Sequence, residues 1–213
     1  MQVTLIGAGP GGPGGLTADG WKTLRHADAV FGAPRLLKSI GDACYGIQVP
    51  EYLPDPVLAA LTAHPLWQSP CILLSGDVGF YSGATRLRAT LEDAGYSVRS
   101  IAGLPTVACF AAALGRPWQD WRLVTAHGVA CDPAAELRAH PTVFFLTGGD
   151  GGVNKLLHGL CAGGFPDARV AVGENLSYPE EKLTLGKAET LCDRSFAPLS
   201  VLLTERPELV PNE

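Results

Sequence analysis

Short apolar runs alternate along the chain with segments whose apolar residues recur at helical spacing, an order that predicts an α/β architecture built largely on parallel strands. Residues 2–7 read as a first strand running straight into a glycine-rich turn. Leu16, Trp21, Leu24 and Ala27 then fall on near-helical spacing with Thr17 available as N-cap, so a helix is expected over 16–27. Ala29-Val30-Phe31 makes a second strand, and Pro34 suits the first turn of a helix carrying Leu36, Leu37 and Ile40 that Gly41 can end. Cys71-Ile72-Leu73-Leu74 is a buried-strand pattern closed by Ser75-Gly76-Asp77, followed by a helix over 84–94, a strand over 98–101 and a helix over 106–114.

Gly115-Arg116-Pro117, with Trp118 and Trp121 close behind, interrupts this periodicity, which places a domain boundary between 1–117 and 118–213. Beyond it the pattern predicts strands over 123–125, 142–147, 168–173, 182–185 and 199–203, with helices over 134–139 and 153–160. The stretch from 207 to 213 is polar and proline-containing, and is expected to be loosely held.

Composition narrows the class. In 213 residues, 46% are hydrophobic and 17% charged, as in a globular protein with a sizeable core, and no run reaches the ~18 apolar residues of a membrane span. The first residues lack the basic flank and small-residue cleavage site of a signal peptide, so a cytoplasmic location is expected. Six cysteines (44, 71, 109, 131, 161 and 192) are scattered without a C-x-x-C pair or a histidine at metal-ligand spacing; they read as reduced, buried thiols, and no metal is expected. A net charge of −5 argues against a long nucleic-acid surface.

Gly7-Ala8-Gly9-Pro10-Gly11-Gly12 satisfies G-x-G-x-x-G directly after a strand, which raises a dinucleotide site. The second strand, however, runs into Gly32-Ala33-Pro34-Arg35 where an acidic residue would hold a ribose, and Pro10 and Pro13 remove backbone donors that pyrophosphate would need. A tight turn requiring positive φ is the competing reading of these glycines.

Further segments accompany this loop: Leu16-Thr17, Ala27-Asp28-Ala29-Val30, Arg35-Leu36-Leu37, Ser75-Gly76-Asp77-Val78-Gly79-Phe80-Tyr81-Ser82, Ala126-His127-Gly128, and Gly173-Glu174-Asn175-Leu176-Ser177-Tyr178-Pro179-Glu180-Glu181. In that order, from residue 3 to about 205, the sequence resembles the tetrapyrrole methylases and is most similar to their cobalt-precorrin C5-methyltransferase branch. It departs from the pattern at Gly12, where the family usually has aspartate, at Val78, usually proline, and in Ala102-Gly103-Leu104-Pro105-Thr106, an altered P-G-[IV]-S-[ST].

The resemblance implies a two-domain fold, a mainly parallel sheet in the first domain and a mixed sheet in the second, with S-adenosylmethionine in a trough between them. It further implies a homodimer that methylates C5 of cobalt-precorrin-7 in cobalamin biosynthesis. By matching motifs the cofactor would meet Asp77, Phe80, Gly103, Pro105, Thr106, Thr147 and Asn175. The substrate would meet Gly9, Pro10, Arg35, Tyr81 and His127.

Methyl transfer from a sulfonium needs alignment above all, and an enamine-like bridging carbon needs no strong base, so no catalytic acid or base is assigned. Asp77 could hold cofactor or cap its own turn, and Tyr81 could flank the macrocycle or pack in the core. His127 reads as a structural histidine or a hydrogen-bond donor. Arg35, Lys38, Arg86, Arg88 and Arg116 are the cations available for substrate carboxylates or for a solvated surface. Glu180 and Glu181 read as turn-stabilising. Other readings are a methylase of uroporphyrinogen or another precorrin, a nicotinamide-dependent oxidoreductase using the Gly7–Gly12 loop, and a non-catalytic tetrapyrrole-binding protein. Because the chain stops at 213, a separate decarboxylating C15-methyltransferase is the expected pathway neighbour.

Overall fold

A computed structural model describes residues 1–149 and 152–207. It divides into two compact units, Met1–Thr106 and Val107–Glu213.

In the first unit, β1 (Gln2–Gly7), β2 (Ala29–Gly32), β3 (Ile47–Val49), β4 (Cys71–Leu74) and β5 (Ser97–Ile101) form one sheet in the order β3-β2-β4-β1-β5. Every neighbouring pair is parallel. Alternate residues of each strand feed opposite faces, as a period of two requires. Ile6, Val30 and Leu73 pack under α1 (Ala18–Leu24) and α2 (Pro34–Ile40), against Leu24, Leu36, Leu37 and Ile40. Leu5, Phe31 and Ile72 pack on the other side against Val57 and Leu61 of α3 (Pro54–Ala63) and Leu87 and Leu91 of α4 (Ala84–Asp93).

The order has a consequence for function. Adjacent strands β1 and β4 send their following helices to opposite faces, so a crevice opens beyond their carboxyl ends, where doubly wound sheets bind ligands.

The second unit's sheet is mixed, in the order β6-β7-β10-β8-β9, from β6 (Arg122–Thr125), β7 (Thr142–Leu146), β8 (Arg169–Glu174), β9 (Lys182–Lys187) and β10 (Ser200–Glu205). β6 and β7 are parallel; β10 runs antiparallel to both β7 and β8, and β9 antiparallel to β8. Phe145, Val172 and Leu202 meet Leu137 of α6 (Pro133–Ala139), Val153, Leu157 and Leu160 of α7 (Gly152–Ala162), and Leu191 of α8 (Ala188–Leu191) on one face.

On the opposite face Phe110 of α5 (Thr106–Leu114) lies 6.5 Å from the Trp121 ring and 6.1 Å from that of Phe144. A Cβ on Gly173 would come within 2.7 Å of the Phe110 ring, so only glycine lets this aromatic settle on the strand. Through these contacts α5 carries Phe110 into the second unit's aromatic cluster.

Most of the elements that the sequence predicts are present within a few residues. Among the described residues, β3, α3 and α8 lie where the sequence pattern gave no assignment, as do two short 3-10 turns at Pro13–Gly15 and Gly41–Ala43.

Candidate active site

The first unit gathers its motif loops at the carboxyl ends of β4, β1 and β5. Gly9 and Gly76 exchange backbone hydrogen bonds, 3.1 Å from Gly9 N to Gly76 O and 2.7 Å from Gly76 N to Gly9 O, both glycines having positive φ. A Cβ at Gly103 would fall 2.5 Å from the Gly7 carbonyl and 2.5 Å from Gly76 O, so three loops meet backbone to backbone with no room for a side chain. Ala8 N donates to Leu74 O and Gly15 N to Gly12 O. Since Pro10 and Pro13 carry no N–H, several donors a pyrophosphate would need are absent or already committed to the fold, which argues against a dinucleotide cradle.

Asp77 braces this junction. Its Oδ1 accepts from Gly79 N at 2.8 Å and its Oδ2 from Gly103 N at 2.9 Å, so one carboxylate caps its own turn and ties the β4 loop to the β5 loop. Arg35 acts similarly from the start of α2: Nη2 donates to Ser75 Oγ at 2.7 Å and Nη1 to the buried Pro10 carbonyl at 3.3 Å. Its guanidinium therefore holds the glycine-rich loop beside the β4 loop. Thr106 opens α5, and Pro105 just before it offers no backbone donor. Phe80 and Tyr81 form the tip of the β4 loop with their rings 4.8 Å apart.

In the second unit β6, β7 and β8 point the same way, so 125–128, 147–149 and 174–178 leave one sheet edge together. Thr147 is buried, and its hydroxyl donates to Ser200 O at 2.5 Å; the side chain is engaged in the fold, leaving its backbone and Gly148 toward the edge. His127 Nδ1 lies 3.4 Å from Thr147 O, a geometry in which a protonated Nδ1 donates to the carbonyl. The ring covers Gly148 so closely that a Cβ there would lie 1.7 Å from Nδ1.

Asn175 (φ 49°) and Ser177 (φ 69°) both adopt left-handed backbone. Their turn is held by Asn175 N to Leu199 O at 2.8 Å and Ser177 N to Glu181 Oε2 at 2.7 Å. Glu174, 6% exposed, anchors it from below, with Oε1 accepting from Ala197 N at 2.9 Å and Oε2 3.6 Å from Lys182 Nζ.

The sequence-predicted residues thus fall into two groups, each brought together within its own unit: Gly9, Pro10, Arg35, Asp77, Phe80, Tyr81, Gly103, Pro105 and Thr106 in the first, and His127, Thr147 and Asn175 in the second. Ser75 and Glu174 lie inside the quoted motifs but gain their roles only through partners distant in sequence. Of the other cations, Arg88 pairs with Glu92 at 2.9 Å and Arg116 with Glu205 at 2.6 Å, so both serve their own surfaces. His158, Cys192 and Asp193 approach one another within 4.8 Å, although nothing in their sequence spacing suggests it. The Cys192 thiol donates there to Glu189 O at 3.3 Å.

The family profile of tetrapyrrole (corrin/porphyrin) methylases matches residues 2–192. The chain belongs to that family. Tetrapyrrole methylases use S-adenosylmethionine, and the chain is accordingly a C-methyltransferase. Among curated relatives, the probable cobalt-precorrin-7 C(5)-methyltransferase of Methanocaldococcus jannaschii is 25% identical over 97% of this chain and 99% of its own length. The cobalt-precorrin-7 C(5)-methyltransferase of Salmonella typhimurium is 29% identical over 85% and 89%. The decarboxylating precorrin-6Y C(5,15)-methyltransferase of Sinorhizobium sp is 27% identical over 95% of this chain but 49% of its own length.

Solved structures share the fold of this tetrapyrrole methylase. A cobalt precorrin-4 methyltransferase superposes with a TM-score of 0.79 at 19% identity, covering 96% of this chain and 94% of that one. The Thermus thermophilus uroporphyrin-III C-methyltransferase, complexed with S-adenosylhomocysteine, superposes with 0.76 at 22% identity, covering 96% and 97%.

Proposed function

We propose that this tetrapyrrole methylase transfers a methyl group from S-adenosylmethionine to C5 of cobalt-precorrin-7 in cobalamin biosynthesis. The observation that carries the reading is similarity over 97% and 85% of the chain to two relatives named for that reaction. S-adenosylmethionine supplies a sulfonium-bound methyl; its C–S bond breaks as the C–C bond to the macrocycle forms, and a proton is lost from the methylated product.

The protein's part is alignment, which can contribute about 7–11 kcal/mol to the barrier reduction. The β4 and β5 loops fit a ligand that needs close backbone approach, because the Gly7–Gly76–Gly103 junction and the Asp77 brace hold them still. Asp77 in this reading positions backbone groups near the cofactor, and Phe80, Gly103, Pro105 and Thr106 line its approach. Within the second unit the backbone of Thr147 and the turn at Asn175 are the proposed cofactor contacts; Gly9 and Pro10, held by Arg35 in the first unit, and His127 in the second are the proposed substrate contacts. We further propose a cytoplasmic homodimer working beside a separate decarboxylating C15-methyltransferase. The fused Sinorhizobium relative, about twice this chain's length, carries the C5 and C15 activities in its name.

The test is incubation of the protein with ¹³C-methyl S-adenosylmethionine and cobalt-precorrin-7, with NMR of the product. Label at C5 is expected. Label at another carbon, or no transfer, rejects the assignment.

A further inference from the structure

We propose that His158, Cys192 and Asp193 bind a divalent zinc ion that clips α7 to the segment following α8, at a place separate from the motif loops. The site is independent of the methyl-transfer reading, and neither falls with the other.

Spacing along the chain gave no reason to expect a metal, because it does not join residue 158 to residues 192 and 193. The fold does. Among the described residues, these three side chains are the group of His, Cys, Asp or Glu whose ligand atoms all lie within 4.8 Å of one another. His158 is on α7, Cys192 caps the end of α8, and Asp193 follows it. Lys187 of β9 pairs with Arg169 of β8, so α8 starts at the amino end of β8, whereas the 174–178 turn leaves its carboxyl end. Leu156, Leu157 and Leu160 of α7 share one core cluster with Leu191 of α8. Asn154, one turn before His158, ties the following segment down: its Nδ2 donates to Cys192 O at 2.7 Å and to Arg194 O at 2.7 Å. Backbone fixed on both sides of Asp193 holds Asp193 and Cys192 opposite His158.

A thiolate, an imidazole and a carboxylate are the donors a borderline-soft divalent ion takes. His158 Nε2 lies 3.8 Å from Asp193 Oδ1, too far for a hydrogen bond. That separation is close to the ~3.4 Å between two ligand atoms bound to one tetrahedral zinc at about 2.0–2.1 Å each. Both side chains are exposed, so rotation about their own bonds can close the remaining gap to Cys192 Sγ and leave a fourth position for water. The Cys192 thiol donates to Glu189 O at 3.3 Å; zinc replaces that proton, which leaves to solvent, and the sulfur binds as thiolate. Cys161, one turn beyond His158 on α7, hydrogen-bonds Cys192 from the side. A thiol donating to a metal-bound sulfur is the kind of outer contact that orients a ligand.

The experiment uses the full chain, treated with a chelator and kept reduced so that Cys161 and Cys192 stay thiols. It is titrated with cobalt(II) chloride as an optical probe and then with zinc chloride as competitor, and thermal unfolding is followed with and without zinc. Wild type is expected to bind one cobalt(II) per chain with sulfur-to-cobalt charge-transfer absorption, which zinc abolishes by displacement. Zinc at a hundredfold excess over its Kd should raise the unfolding temperature by about 5 °C. Cys192→Ser should lose the charge-transfer absorption, while Cys109→Ser should keep it. His158→Ala and Asp193→Ala should each bind zinc at least about tenfold more weakly. Without metal both should unfold at the wild-type temperature, because surface substitutions of this kind cost little. No charge-transfer absorption in wild type overturns the proposal, as does its persistence in Cys192→Ser or an unchanged zinc affinity in either His158→Ala or Asp193→Ala.

Discussion

Glycine explains more of this protein's site than any charged residue does. At Gly7 and Gly103 the loops approach one another and Gly76 O so closely that a methyl group on either glycine would separate them. Gly103→Ala is therefore expected to destabilise the fold by about 3 kcal/mol or more and to abolish S-adenosylhomocysteine binding, as overpacking against backbone cannot be relieved by a rotamer change. Gly14→Ala is the control, since a Cβ there meets nothing within 4 Å. Chemical denaturation and calorimetric titration of both variants check this, and equal behaviour would contradict it.

Cys71 gives a second residue-level prediction. Burial first, then Cys44 and Asp28, push its thiol from the ordinary 9.0 up to about 12. Unfolding releases that proton once the pH exceeds about 9, so the folded protein should lose stability between pH 9 and about 12. A Cys71→Ala variant should lose less over the same interval in pH-dependent unfolding. Cys44 and Cys71 are buried as the sequence suggests, whereas Cys109, Cys131, Cys161 and Cys192 are only partly buried.

Elements were legible where their signals were local. The N-cap at Thr17 is an example: its Oγ1 accepts from Gly20 N at 3.2 Å at the head of α1, as Thr17 before an apolar-periodic run suggests. Thr17→Ala should cost about 1 kcal/mol, measurable by urea unfolding, with no change in the slope of the transition. Helix α1 nevertheless ends at Leu24, short of the expected 27, where Arg25, His26 and Ala27 close it in a turn.

β3 carries too little signal because Ile47-Gln48-Val49 alternates over only three residues, two of them exposed, at a sheet edge. α3 left a usable trace in Pro54-Asp55-Pro56 with Val57 and Leu61 one turn apart. The packing of Phe110 on Gly173 lay beyond local reading, because it joins residues sixty-three apart. Within the site, the residue types at 77, 35 and 147 were legible as motif members. Their roles were not, because each is set by a partner from another loop: Gly103 for Asp77, Ser75 and Pro10 for Arg35, Ser200 for Thr147.

Across the whole molecule, the same arrangement recurs in two different sheets. A parallel sheet and a mixed one each bring their motif loops to one edge, and each loop is held by hydrogen bonds within the fold. Such an edge suits a ligand positioned by backbone and by shape, which accords with membership of the tetrapyrrole methylases. No described helix is long and apolar enough to cross a membrane.

The central claim is that this chain binds the methyl donor of its family and not a nicotinamide cofactor. Isothermal titration of the purified chain with S-adenosylhomocysteine, with NAD and NADP run alongside, tests it most directly. The account predicts saturable binding of S-adenosylhomocysteine at one site per chain and no binding of either nicotinamide cofactor. Binding of NAD or NADP, or no heat and no thermal stabilisation with S-adenosylhomocysteine, would contradict it.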